Sequence, residues 1–210
     1  MQGELLYADA GVTSAKVAKF SAKQGKRGAE FLAGIPGTVG GALAMNAGCH
    51  GGETWDIVNK VLTIDTCGQL HERSCKEFVA TYRHVEMPAK NEWFIGAWFE
   101  LPNGSAAEAE LTIKNLLAKR LATQPLNLPN AGSTFRNPEG DYAARLIETC
   151  GLKGHRIGGA QVSEKHANFI VTAAGATAND VEQTIALMHD TVKEKFGIEL
   201  QQEVRVIGEK

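Results

Sequence analysis

Three places in this 210-residue chain have the residue types and spacing to do chemistry. The densest is Gly34-Ile35-Pro36-Gly37-Thr38-Val39-Gly40-Gly41-Ala42, continued by Met45-Asn46-Ala47-Gly48 and Gly51-Gly52. Its glycines permit positive φ or close backbone approach to a ligand. Successive exposed amides ahead of a helix start would form a nest for a phosphate or pyrophosphate. There is no G-K-[ST], so this is not a P-loop, and the spacing is not the G-x-G-x-x-G dinucleotide fingerprint. The run reads equally as a turn-rich corner of a β fold. Second, Thr81-Tyr82-Arg83-His84 offers a guanidinium, which stays cationic and grips a carboxylate with two parallel bonds. On pattern alone it is as well explained by an arginine paired on a surface turn. Third, Asn130-Ala-Gly-Ser-Thr-Phe-Arg-Asn-Pro138 sets Ser133 beside a glycine. It is not G-x-S-x-G, and no His/Asp order around it makes a hydrolase triad, so the blind reading is an ST-turn or helix-capping serine. Glu203 reads as a polar strand residue. His155, His166 and Asn168 read as hydrogen-bonding groups that order a polar loop.

These residues need elements to hold them. Glu4 to Ala10 reads as a strand, and Thr13 to Gln24 as a short helix turning Val17 and Phe20 inward, with Gly25 as its stop. Ile57 to Asp65 alternates as a strand, Cys67-Gly-Gln-Leu70 is a hairpin turn, and Glu92 to Leu101 is a second apolar strand. Ser105-Ala-Ala-Glu108 is a capping box that opens a helix with Ile113, Leu116, Leu117 and Leu121 on one face. That helix stops before Pro125, and Pro125 to Pro129 reads as a rigid, extended linker. A short helix follows at Tyr142 to Thr149, then a strand at Phe169 to Ala173. Thr177-Ala-Asn-Asp180 caps a long helix whose stripe is Val181, Ile185, Met188, Val192 and Phe196, with Gly197 as its stop. Glu203 to Ile207 reads as a last short strand. The class is α+β, without internal repeats.

Composition narrows the classes. Apolar residues make up 43% and charged residues 22%, an ordinary globular balance. Lys+Arg 22 against Asp+Glu 24 gives −2, which argues against a nucleic-acid partner. No run approaches a membrane span, and Met1-Gln-Gly-Glu4 lacks the features of a signal peptide. Cys49, Cys67, Cys75 and Cys150 form no C-x-x-C pair, so no zinc site is expected, and a reducing, cytoplasmic setting is. Glycine is the outlier, at 23 residues.

The glycine run with Met45-Asn-Ala-Gly48, the Tyr82-Arg83 pair, the Ala131-Gly-Ser-Thr-Phe-Arg-Asn-Pro138 run and Glu203-Val-Arg205 together resemble the UDP-N-acetylenolpyruvoylglucosamine reductase family. The A-G-S-x-F-[KR]-N-P run is that family's most specific signature, and the segment Gly151 to Ile170 also matches its substrate domain. The resemblance implies the remainder of a vanillyl-alcohol-oxidase-type FAD-binding domain followed by a smaller α/β substrate-binding domain. The expected boundaries are 1–102 for the second half of the FAD-binding domain, 103–129 for a helix and linker, 130–202 for the substrate domain, and 203–210 for a terminal strand with a catalytic glutamate. It implies FAD held by Gly34, Ile35, Pro36, Gly37, Thr38, Gly40, Gly41, Ala42 and Arg205. Arg83, Ser133 and Glu203 become catalytic. Tyr82, Arg136, Asn137 and Gln161 become substrate-binding, with Lys165 a weaker candidate.

The implied reaction is NADPH-driven reduction of UDP-N-acetylglucosamine enolpyruvate to UDP-N-acetylmuramate in peptidoglycan precursor synthesis. FAD carries the hydride to the terminal enol-ether carbon. Arg83 and a protonated Glu203 would polarise the substrate carboxylate, burial favouring the neutral acid. Ser133 would deliver the proton. The lack of inserted segments around Tyr82 and before the C-terminal motif points to the shorter type of this enzyme. Cys49-His50 stands where relatives often have Ala-Tyr, and Val85 where they have Ser. The family's Gly-Gly-Gly-Ser-Asn-type loop, expected before Leu5, has no counterpart in this chain. Two other expectations stay open: another flavin oxidoreductase of the same superfamily, and a fragment or degenerate paralogue that binds the UDP-sugar without turnover.

Overall fold

The computed structural model describes residues 1–208. It divides into two compact units, Met1–Arg120 and Leu121–Lys210. The first unit contains β1 (Leu6–Asp9), α1 (Ser14–Lys23), α2 (Val39–Ala44), β2 (Gly48–Cys49), β3 (Gly52–Glu53), β4 (Val58–Asp65), β5 (Leu70–Ser74), β6 (Val79–Thr81), β7 (His84–Glu86) and β8 (Glu92–Phe99). The helix α3 (Ala106–Thr123) begins in it. The second contains β9 (Asn130–Ser133), α4 (Ala143–Thr149), β10 (Arg156–Ile157), β11 (Ala160–Val162), β12 (Phe169–Thr172) and α5 (Ala178–Phe196).

The first unit is built on a four-stranded antiparallel sheet of order β1-β8-β4-β5. Alternation buries Leu6, Ala8, Val61, Ala97 and Phe99 on one face, where they meet Val17, Ala18, Leu32, Val39 and Leu43. The α1 stripe differs from the expected one. Ser14, Val17, Ala18, Ser21 and Ala22 are buried, whereas Phe20 is 45% exposed. The stripe is made of small residues at i, i+3, i+4, i+7 and i+8, and Phe20 falls outside it between Lys19 and Lys23. In α3 likewise only Ala109 and Ile113 are buried, and Leu117 and Leu121 are exposed. The expected leucine stripe is therefore not a core face.

In the second unit the sheet order is β10-β11-β12-β9, again antiparallel. The helices α4 and α5 give Ala143, Leu146, Ile147, Ile185, Met188 and Val192 to its core. The α5 start is the expected capping box: Thr177 Oγ1 accepts from Asp180 N at 3.1 Å and Asp180 accepts from Thr177 N at 3.0 Å. Gly197 ends the helix with φ 71°.

Two expectations fail here. Residues 125–129 do not form an extended linker but fold into a turn. Leu128 N donates to the Pro125 carbonyl at 3.2 Å, and Asn130 Nδ2 ties down the carbonyls of Pro125 and Leu128. Nor is Glu203 to Ile207 a strand. A single bridge joins Gln202 to Phe135, after which the chain is irregular. The Thr134 carbonyl accepts from both Glu203 N and Val204 N, so the ladder stops where it starts.

Candidate active site

The glycine-rich run begins in a one-turn 3-10 helix, Glu30–Gly34, crosses an exposed turn at Pro36, Gly37 and Thr38, and enters α2. Its amides are only partly available. Val39 N donates to the Val12 carbonyl at 2.8 Å and Gly40 N to the Ala10 carbonyl at 2.9 Å. The expected anion nest is thereby reduced to the exposed turn. Gly40 is explained by packing, since a Cβ there would lie 3.0 Å from the Ala10 Cβ. Gly41 is not. It is exposed, helical and faces open space, the nearest atom to an added Cβ being Thr38 Oγ1 at 4.0 Å. The exposed backbone of Gly37 and of Gly41, a helical glycine that the fold does not require, thus carries no side chain and forms a glycine shelf.

The β2–β3 hairpin links this shelf to Arg83. A Cβ on Gly34 would lie 2.8 Å from Cys49 Sγ, and the Gly34 carbonyl accepts from Arg120 Nη1. Burial pushes the Cys49 thiol up, opposed by the charges of Arg120 and Arg83. Burial, then the charges of Lys119 and Arg120, lowers the His50 imidazole below its ordinary value. Gly48 is crowded by Gly52 O and Arg83 Nη1. Arg83 occupies the two-residue turn between β6 and β7 with φ 56°. Its guanidinium donates to the Gly48 carbonyl at 3.1 Å and the Asn46 carbonyl at 3.4 Å, and stacks 4.7 Å from the Tyr82 ring centroid. The shelf residues 34–42, Tyr82 and Arg83 are thus joined through one short hairpin of the first unit.

Ser133 and Glu203 belong to the second unit, and there the structure brings them together. Ser133 ends β9 opposite Phe169. Gly132 precedes it with φ 83°, its N–H donating to Asn130 Oδ1 at 2.9 Å, an Asx turn that sets the serine. Asn168 then clamps the chain beyond it. Its carbonyl accepts from Thr134 N at 2.8 Å, its Oδ1 accepts from Phe135 N at 3.0 Å, and its Nδ2 donates to the Phe135 carbonyl at 2.8 Å. On the other side Glu203 N donates to the Thr134 carbonyl at 2.9 Å and Arg136 N to the Gln201 carbonyl at 2.9 Å. The Glu203 main chain is thereby paired with Thr134, the residue after Ser133, and that of Gln201 with Arg136.

Asn137 Oδ1 accepts from Ala143 N at the start of α4. Arg205 lines a cleft of about 490 Å³ with Asn130, Gly132, Val181 and Val204. Gln161 is not drawn in. Its Oε1 accepts from Arg156 and its Nε2 donates to the Gly154 carbonyl, so both ends of its amide serve the β10–β11 hairpin. Lys165 Nζ donates to the Leu121 carbonyl at 2.6 Å. His166 is half-buried, edge-on to Phe169, and its imidazole is lowered by burial and then by the charge of Lys153.

Sequence reasoning missed Asn46, Glu53 and Arg120. The asparagine was visible in the Met45-Asn-Ala-Gly48 run, but nothing in its spacing marks it as a hub. Among the described residues no His/Cys/Asp/Glu group could hold a metal ion, and no helix is long and apolar enough to cross a membrane.

The first unit thus carries exposed glycines and a fixed guanidinium on an antiparallel sheet, and the second is a small α/β unit in which the Glu203 backbone pairs with Thr134, next to Ser133. Residues 2–74 match the family described as FAD binding domain, and residues 124–207 match UDP-N-acetylenolpyruvoylglucosamine reductase, C-terminal domain. The UDP-N-acetylenolpyruvoylglucosamine reductase of Nitrosospira multiformis is 59% identical over 97% of this chain and 65% of its own length. That of Thiobacillus denitrificans is 58% identical over 98% of this chain and 64% of its own. A crystal structure of UDP-N-acetylenolpyruvylglucosamine reductase from Thermus caldophilus superposes with TM-score 0.82 at 33% identity, covering 94% of this chain and 71% of that one. The chain belongs to the UDP-N-acetylenolpyruvoylglucosamine reductase family. It spans about 65% of the length of the curated relatives it matches.

Proposed function

We propose that this chain carries the substrate-side chemistry of a UDP-N-acetylenolpyruvoylglucosamine reductase, converting UDP-N-acetylglucosamine enolpyruvate to UDP-N-acetylmuramate with FAD and NADPH, in the cytoplasm. The observation that carries the reading is the Thr134 carbonyl accepting from Glu203 N, which fixes the Glu203 backbone opposite the residue that follows Ser133. The residues also fit a flavin nucleotide. Gly37, whose φ of 108° itself calls for glycine, and Gly41, which nothing in the fold crowds, leave backbone uncovered, and a Cβ at Gly41 would occupy that space.

When bound, FAD supplies the hydride chemistry, and NADPH is its reductant. The chain's own residues do the rest. Pro36 to Thr38, Gly40 and Gly41 would line the flavin nucleotide. Arg83 binds the enolpyruvyl carboxylate, using a guanidinium already oriented by two carbonyls. Glu203, in its protonated form, donates a hydrogen bond to the substrate and so stabilises negative charge as it builds there. Ser133 gives its hydroxyl proton to that carbon. A serine hydroxyl is a weak acid, so this transfer depends on a strongly basic carbon held close to the oxygen. Arg136 and Asn137 contribute to the UDP-sugar side, and Tyr82 packs beneath the Arg83 guanidinium.

Ser133→Ala tests the assignment in the flavin-loaded chain. Bleaching of the flavin band by NADPH proceeds as in the wild type, while its return on adding substrate slows by at least about 10²-fold, the lower range for loss of a general acid. Return at the wild-type rate refutes the proton-donor role.

A further inference from the structure

The Arg83 turn is suspended from Asn46. This residue is 2% exposed and has φ 40°, in the left-handed region that asparagine tolerates better than most side chains. Its side chain is fully employed. Nδ2 donates to Glu53 Oε2 at 2.7 Å and to the Thr81 carbonyl at 3.1 Å, and Oδ1 accepts from Trp55 N at 3.1 Å. Its main-chain carbonyl accepts from Arg83 Nη1 at 3.4 Å. Thr81 ends β6 and pairs with His84 across the turn that holds Arg83. One buried residue therefore holds both the backbone entering the turn and the guanidinium at its tip. A two-pronged grip on a carboxylate requires the fork to be oriented before the ligand arrives, because the freedom lost on binding subtracts from affinity.

We propose that Asn46 is a positioning residue that presets the guanidinium of Arg83, an inference that rests on the reading of Arg83 as the carboxylate-binding group. The test is phenylglyoxal modification of the full chain, followed at Arg83 by peptide mass spectrometry with Arg73 as internal reference. Arg73 is clasped by Glu92 and Glu77 in the same unit and reports general loosening. Asn46→Gly keeps the main-chain carbonyl and the left-handed backbone but deletes the side-chain bonds to Thr81, Glu53 and Trp55 N, of which the first holds the strand entering the turn. The Arg83-to-Arg73 rate ratio is expected to rise about fivefold, the effect of one lost hydrogen bond. A rise below about twofold overturns the proposal, since loss of a hydrogen bond with any net value exceeds that. Asn46→Ser, too short to reach Thr81, replaces the glycine variant with the same two outcomes if that variant does not fold. Binding of UDP-N-acetylglucosamine enolpyruvate to the wild-type chain is measured separately. A wild type that does not bind it while the ratio still rises in Asn46→Gly refutes the functional reading and leaves the positioning role standing.

Discussion

Arg73 and Glu92 show what a single buried pair does in this molecule. Glu92 is 8% exposed, and its carboxylate accepts from Arg73 Nε at 2.6 Å and from Thr63 Oγ1 at 2.6 Å. The Arg73 bonds hold the Glu92 carboxyl down to about 2, against an ordinary 4.5. A depressed carboxyl stabilises the fold fully above its ordinary pKa and loses that contribution as pH falls toward its folded value. The melting temperature of the wild type is therefore expected to fall between about pH 4.5 and about pH 2, and that fall should be smaller in Glu92→Gln, which has no proton to take up. An equal fall in both proteins would place the acid sensitivity elsewhere. None of this was legible beforehand, because Arg73 and Glu92 lie on strands that meet only through β4. The motif residues were legible by type. What spacing could not show is who holds them: Arg83 depends on Asn46 and Gly48, and Glu203 on the carbonyl of Thr134.

Helices and strands were readable where side-chain size and periodicity agree. Capping box, stripe and glycine stop all point the same way in α5, and the helix runs Ala178–Phe196 as expected. The hairpin of β4 and β5 follows from Asp65 and Gly68 in its turn. Reading failed where small residues make the core face, as in α1, or where carbonyls are satisfied by one neighbour in place of a ladder, as after Gln202. The α2 helix carries the sharpest conflict between local preference and structure. Glycine in a helix costs about 0.5–1 kcal/mol relative to alanine, and nothing in the protein crowds Gly41. Gly41→Ala should therefore raise stability by about that amount in denaturant titration while weakening FAD binding by about tenfold or more, from a methyl group set into a close-packed contact. Unchanged flavin affinity would remove the shelf from the cofactor site.

At the scale of the molecule, the chain has two separate cores. One is centred on Leu32, Leu43, Val61 and Phe99, the other on Phe135, Leu146, Ile147, Met188 and Val192. The α+β class was legible in the mix of strands and helices, and the division at Arg120 falls within residues 103–129, where the sequence places the boundary; its exact place, inside a continuous helix, no residue pattern marks. Leu146→Ala should cost about 2–5 kcal/mol, the range for a buried leucine, with flavin affinity unchanged in the folded protein. A parallel loss of flavin affinity would mean that the second core supports the glycine shelf. The shared carbonyl of Thr134 also sets an order of events during synthesis. The ribosome delivers Ser133 and its strand well before Glu203, so β9 can join its sheet while its neighbour is still inside the exit tunnel. The serine waits, and the acid follows 70 residues later. A nascent chain that has already folded around Phe135 is thus chemically incomplete until Glu203 reaches the Thr134 carbonyl.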